Sequence, residues 1–214
     1  MKILNLYAGL GGNRLLWRDV KVVAVEIDPN IAEAYQELFP EDEVIVADAR
    51  EFLLEHYHDS EFDFIWASPP CTAHSRARFW ASKGGRYKPV YPDFSLYEII
   101  VFLQHFRTKP WVVENTVAYY EPLITPTVRI GRHWFWANFW IPPLKVEKDC
   151  IETSRIEDIL RVKGLPAEKY LPVLRKLKGY RKDKLVRDMV RPEIGLWILR
   201  CGERGERKWT GGRS

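Results

Sequence analysis

The chain has 214 residues, 46% of them hydrophobic and 29% charged, a balance that suits a folded core and excludes a disordered polyampholyte. Its apolar runs, such as residues 98–106, are too short for a bilayer, and Met1 leads straight into a strand-like segment with no signal peptide, so an intracellular protein is expected. Cys71, Cys150 and Cys201 are three in number, widely spaced and without a CxxC pair, which argues against a disulfide framework and a zinc site, while a net charge of +4 points only weakly to a polyanionic partner.

In chain order, residues 2–8 (KILNLYA) read as a strand and residues 12–20 as the opening of a helix. Residues 21–28 predict a strand, and residues 29–39 a helix with proline in its first turn. Strand 43–49, helix 50–58 and strand 62–68 follow, then a basic loop. Helix 95–106 and strand 110–116 complete the alternation. Further on, an aromatic strand spans 132–143, helices cover 156–166 and 169–177, and residues 184–200 form a helix interrupted near Pro192. Strands alternating with helices predict an α/β domain: a mostly parallel twisted sheet, buried on both faces by helices. Ligands of such sheets bind at the carboxyl ends of the strands, so the polar residues just after each strand carry the interest.

Between Asp63 and Asp93 there is no acid, yet Arg76, Arg78, Lys83, Arg86 and Lys88 fall there, interleaved with Phe79, Trp80, Tyr87 and Tyr91. Cations beside aromatic faces suit phosphates and bases. A second basic stretch, from Arg175 to Arg191, reads on its own as a solvated helix face.

The first strand ends in YAGLGG (Tyr7 to Gly12), where glycines let a backbone approach a ligand, although the spacing is not the GxGxxG of dinucleotide sites. The second strand ends at Glu26, placed to accept from two ribose hydroxyls, and the third at Asp48, placed to accept from an adenine amino group. Each acid alone is as readily a helix cap. Together with the glycine turn, on three successive strands, they favour a nucleoside site, and with no triphosphate loop in the chain S-adenosylmethionine fits. The fourth strand delivers Cys71 behind two prolines, among cations expected to favour its thiolate, whereas Cys150 and Cys201 read as buried hydrophobes. The fifth strand ends in Glu114 and Asn115, where an enclosed carboxyl is expected to hold or share a proton near neutrality.

These segments resemble the motifs of the DNA (cytosine-5) methyltransferase family, a Rossmann-like, S-adenosylmethionine-dependent class. LYAGLGG, VEID and VADA are similar to its first three motifs, SPPCTAHS to the nucleophile motif and ENT to the glutamate motif. RIGRH stands at the Gln-x-Arg-x-Arg strand, residues 154–166 at the helix before the last motif, and LVRDMVRPEIG at that motif. The resemblance spans nearly the whole chain and implies a single catalytic domain over 1–204, with helices at 156–200 packing back on it and a disordered tail at 205–214.

The resemblance further implies Cys71 as nucleophile, Glu114 as its partner on the base, Asn115 holding the loop, and Arg132, with Arg129 or His133, contacting the base carbonyl or holding Glu114. The cofactor would touch Tyr7, Ala8, Gly9, Gly11, Glu26, Ile27, Asp48, Ala49, Pro70, Asp188 and Val190. Nucleic acid would touch Ser75, Arg76, Arg78, Lys83, Arg86, Lys88, Arg129 and His133, with residues 75–91 as a lid. The partner implied is duplex DNA with a flipped-out cytosine; RNA under the same chemistry and a non-catalytic nucleic-acid-binding homologue are the alternatives.

The chain also departs from the family. Asn5 stands where an acid is usual, Arg129 at the glutamine, His133 at the last arginine and Asp188 at an asparagine. The long target-recognition region is reduced to a remnant near 145–155.

Overall fold

The computed structural model describes residues 1–58, 62–147 and 153–205. Its centre is a seven-stranded sheet built from β1 (Lys2–Leu6), β2 (Lys21–Glu26), β3 (Glu43–Val46), β4 (Phe64–Ala67), β5 (Trp111–Thr116), β6 (Val128–Ile130) and β7 (His133–Ala137), in the order β3-β2-β1-β4-β5-β7-β6. The first five strands pair in parallel, and β7 runs antiparallel to both β5 and β6. From β1 the chain moves outward to β2 and β3, then returns to β4 on the other side. The crevice beyond β1 and β4 is therefore the switch point where an open α/β sheet binds its ligand.

Both faces are covered, as the alternation predicts. Helices α1 (Pro29–Leu38), α5 (Ile156–Val162), α6 (Ala167–Lys176) and α8 (Pro192–Arg204) bury Ile31, Leu160, Tyr170 and Ile198 in one core with Ile3, Trp66 and Phe135. Helices α2 (Ala49–His56) and α4 (Ser95–Phe106) bury Leu53, Ile99 and Leu103 against Leu4, Ile65 and Val113 on the other. The C-terminal helices thus share a core with the first strand, and Cys201 is buried there. Among the described residues no helix is long and apolar enough to cross a membrane.

The segment expected to open a helix at residues 12–20 is a run of turns instead. Its backbone bonds span three residues (Arg14 N to Gly11 O, 3.1 Å; Trp17 N to Arg14 O, 3.0 Å), and Asp19 adopts a left-handed φ of 55° that stops propagation. Buried Arg14 fixes the turns. It donates to both oxygens of Asp42 at 2.8 and 2.9 Å and to the Trp17 carbonyl at 2.8 Å.

The basic loop is also more ordered than expected. Residues Arg76–Lys83 form α3, with Ser75 at its N-terminal boundary and Gly84 at its end. The aromatic strand stops at Ala137, and a turn at Gly131 and Arg132 divides RIGRH between the short edge strand β6 and the start of β7. The interrupted helix resolves into α7 (Lys182–Asp188) and α8, which begins at Pro192. Residues 148–152 of the recognition remnant, Cys150 with them, and residues 206–214 of the expected tail lie outside the described residues.

Candidate active site

A cavity of about 210 Å³ opens at the switch point. One side is the turn after β1, from Tyr7 to Asn13, and the other is the turn after β4, from Ser68 to Thr72. Glu114 and Thr116 reach it from β5, Arg132 and His133 from the start of β7, and Lys184, Asp188 and Val190 from α7 and its exit. Cys71 and Glu114, which the sequence sets 43 positions apart, therefore line one space.

The turn after β1 is built for close approach. Tyr7 is held at φ 57°, a conformation that side-chain-bearing residues occupy at a cost of about 1–3 kcal/mol and that clusters at functional sites. Gly9, at φ 54°, has nothing within 4 Å of where a Cβ would stand, so bare backbone faces open space. Gly12 serves packing instead: a Cβ there would lie 2.6 Å from the Val190 carbonyl, which keeps the α7 exit against the turn.

The acids of the neighbouring strand tips serve the chain itself. Glu26 accepts from Gly9 N at 2.9 Å and Asp28 N at 3.1 Å, and so braces the glycine turn. Asp48 caps α2, accepting from Arg50 N at 2.8 Å and Glu51 N at 3.3 Å. Neither lines the cavity, nor do Ile27 and Ala49; Ile27 is exposed and Ala49 is buried under the cap. Each carboxylate oxygen of Glu26 keeps a second lone pair for a ribose hydroxyl. With the bare backbone at Gly9, these residues fit a nucleoside-bearing cofactor.

The turn after β4 is fastened from two sides. Asn115 Nδ2 donates to the Pro69 carbonyl at 2.9 Å while its Oδ1 accepts from Thr116 N at 2.9 Å. The Cys71 carbonyl accepts from His74 N and Ser75 N, both at 3.1 Å, and so starts the turn into α3. The sequence reading expected nearby cations to favour the Cys71 thiolate, and the structure reverses this. Burial first, then the Asp188 and Glu114 carboxylates, push the thiol up to about 12, against the weaker opposing pull of Lys184 and Arg132. The resting group is the thiol.

Of Arg129, Arg132 and His133, it is His133 that pairs with Glu114. In the β5–β7 ladder Glu114 faces Phe135, so His133, two residues away on the same pleat face, is its diagonal neighbour. His133 Nδ1 lies 2.5 Å from Glu114 Oε1, with both side chains buried. The His133 Nε2 is buried with no hydrogen-bond partner among the described residues. Arg132 lines the cavity too, while Arg129, on edge strand β6, is exposed and donates from its side chain to the Gly131 carbonyl at 3.2 Å.

Asp188 lines the cavity already paired with Lys184, one helical turn earlier. Lys184 belongs to the basic stretch and lines the cavity, since its i, i+4 spacing to Asp188 puts the two on one face. Asn13, Thr72 and Met189 were missed by the sequence reading. Of the remaining residues assigned to the cofactor, Ala8 and Pro70 line the cavity, as does Gly11. Ser75 and Arg76 lie beyond it, bridged and hydrogen-bonded to Ala118, and Arg78, Lys83, Arg86 and Lys88 lie on α3 and the residues after it.

A model of the C-5 cytosine-specific DNA methylase family matches residues 1–117. A search of curated proteins found no match. Among solved structures, the Entamoeba histolytica methyltransferase EhMeth aligns with TM-score 0.57 and 9% identity, covering 97% of this chain and 99% of that one. A DNMT2 mutant from Spodoptera frugiperda is 26% identical over 54% of this chain and 35% of its own, with TM-score 0.39. A TehB-like SAM-dependent methyltransferase from Corynebacterium glutamicum is 16% identical over 57% of this chain and 58% of its own, with TM-score 0.35. The EhMeth likeness carries the fold, a Rossmann-like methyltransferase sheet, and the matched residues include the glycine turn, Cys71 and Glu114. With more than half of its length matched, this chain belongs to the C-5 cytosine-specific DNA methylase family.

Proposed function

We propose that the protein transfers a methyl group from S-adenosylmethionine to C5 of cytosine in DNA through a covalent adduct on Cys71. The observation that carries this reading is that Cys71, Glu114, Arg132 and His133 line the same cavity as the glycine turn. S-adenosylmethionine supplies, when bound, an electrophilic methyl on a sulfonium. Tyr7 to Gly11 would hold it, with Glu26 on the ribose, and Asp48 and Ile27 near the adenine.

As the cytosine enters, the Cys71 sulfur must pass its proton to a base, since burial and two carboxylates keep the sulfur as the thiol at rest. The Glu114 carboxylate on the same cavity is available to take that proton and share it with N3. Attack of the sulfur on C6 forms an S–C6 bond and pushes electron density to C5, which takes the methyl. Glu114, oriented by His133, supports the charge that develops at N3, and Arg132 stands ready for the base carbonyl. Loss of the C5 proton then expels the Cys71 sulfur and restores the ring. Asn115 keeps Pro69 to Cys71 in place throughout. A paired cytosine cannot present this edge to the sulfur, so the base must leave the stack.

The test is incorporation of labelled methyl into cytosine-bearing DNA, located by bisulfite sequencing. Labelled 5-methylcytosine that requires Cys71 supports the reading; incorporation that survives Cys71→Ala overturns it. The same assay on RNA addresses the alternative that the short segment between β7 and α5 favours, because the described part of that segment holds no element to read a DNA groove.

A further inference from the structure

The acid-free stretch after β4 takes a definite shape. One side of α3 is fastened to the domain: Ser75 bridges Ala118, Arg76 Nε donates to the Ala118 carbonyl at 3.0 Å, and the Phe79 ring stacks on Tyr119 at 4.5 Å. The following residues fold back along the helix. Arg86 N donates to the Ala81 carbonyl at 2.9 Å, Arg78 donates to the Lys88 carbonyl at 3.2 Å, and the Arg78 guanidinium lies 4.7 Å over the Tyr87 ring. Arg181 lies against Tyr87, and one turn further along its helix Lys184 enters the cavity. The segment is thus an anchored rim that follows Cys71 and Thr72 and meets the α7 side of the cavity.

Two large rings on this rim stay open to solvent, although the Trp80 ring meets Phe79 edge-on at 5.4 Å. Trp80 is 67% exposed and Tyr91 is 94% exposed, among Arg78, Arg86 and Lys88. The charged residues from Arg76 to Tyr91 are all cations, with Asp93 the first acid beyond them, so the complement is a polyanion with apolar faces of its own. A duplex presents phosphates but keeps its base faces covered by neighbouring pairs. An unpaired strand offers both, and each base has a face on which a ring can stack.

We propose that Trp80 and Tyr91, with Arg78, Arg86 and Lys88, form a stacking rim for an unpaired DNA strand. The cytosine that enters the cavity then comes from single-stranded rather than fully paired DNA. This rests on the reading that the cavity takes a cytosine and narrows its substrate. The rings hold the nucleotides flanking the target, and the cations follow the backbone.

The experiment measures binding of a labelled cytosine-containing oligodeoxynucleotide by fluorescence anisotropy at physiological salt, without cofactor. The probes are the single strand, its duplex, and an RNA of the same sequence. The single strand is expected to bind at least about tenfold more tightly than the duplex, with Trp80→Ala and Tyr91→Ala each costing about tenfold and Trp80→Phe and Tyr91→Phe restoring most of it. Circular dichroism melts of the alanine variants should match the parent, since both rings are solvent-exposed. Equal affinity for duplex and single strand overturns the proposal, as does insensitivity to ring removal. Tighter binding of the RNA overturns the choice of DNA. Binding is read without turnover, so single-strand preference with no methyl transfer would defeat the proposed activity and leave the rim standing.

Discussion

The two ends of the row of strand tips treat their acids in opposite ways. Glu114, at the tip of β5, is buried and meets one side-chain partner, His133. Glu26 and Asp48, at the tips of β2 and β3, are partly exposed and accept from backbone N–H groups of their own chain. Position at a strand tip marks an acid as near the crevice, but burial decides what it does there. A buried carboxylate needs a dedicated donor, because leaving it unpaired costs several kcal/mol. A half-exposed one can hold a turn or cap a helix and keep lone pairs for a ligand.

The largest effect expected from that contrast is at the reacting end. Cys71→Ala should lower methyl transfer by at least about 10³-fold, while S-adenosylmethionine affinity by calorimetry stays within about threefold, since the sulfur is not part of the glycine turn. Glu114→Gln should follow at about 10²- to 10⁴-fold in turnover. Equal loss of cofactor binding in either variant would erase the distinction between the two ends.

His133 gives the contrast its sharpest form. Removing the imidazole in His133→Ala leaves Glu114 buried without its donor and should cost about 1–3 kcal/mol in denaturant melts, with a further fall in turnover. His133→Asn places an amide donor near the Nδ1 position and should recover most of the stability. Turnover should recover less, because the variant lacks the second ring nitrogen, which has no hydrogen-bond partner among the described residues. A His133→Ala protein as stable as the parent would mean that the pair contributes nothing to holding Glu114.

The fold was legible in the sequence wherever periodicity was long and unbroken. α4 falls on residues 95–106 as expected, because apolar residues recur there at helical spacing between two loops. The turns at 12–18 were not legible. Residues 12–20 read as the opening of a helix, but one buried ion pair, Arg14 with Asp42, takes the backbone elsewhere, and its partner lies 28 positions away. Spacing likewise placed Cys71, Glu114 and the glycine turn at the cavity. It could not give the direction of the Cys71 shift, because the carboxylate of Asp188 arrives from α7, far along the chain, and burial outweighs the local cations. It offered Arg132, Arg129 and His133 alike as the residue beside Glu114, and choosing His133 required the register of β5 against β7.

That reversal at Cys71 has a measurable sign. A thiol pushed up to about 12 is protonated at neutral pH, so its alkylation by iodoacetamide should rise about tenfold per pH unit between pH 7 and 10, with no plateau. A plateau below pH 9, read by mass spectrometry on the Cys71 peptide, would mean that the cations prevail after all.

The smallest effects belong to the nucleoside end and test whether its acids serve the fold before any ligand arrives. Glu26→Gln turns one of its two acceptors into a donor, so one of the bonds to Gly9 N and Asp28 N is lost, and the ligand-free protein should be destabilised by about 1 kcal/mol. Asp48→Asn keeps an oxygen at the N-cap of α2 and should change stability by no more than about 0.5 kcal/mol, whereas Asp48→Ala should cost about 1 kcal/mol. If Asp48 acts only as a cap, Asn and Ala variants will differ in ligand-free melts and match in S-adenosylmethionine affinity. If it also contacts the adenine, both will bind the cofactor more weakly than the parent by more than their melts account for.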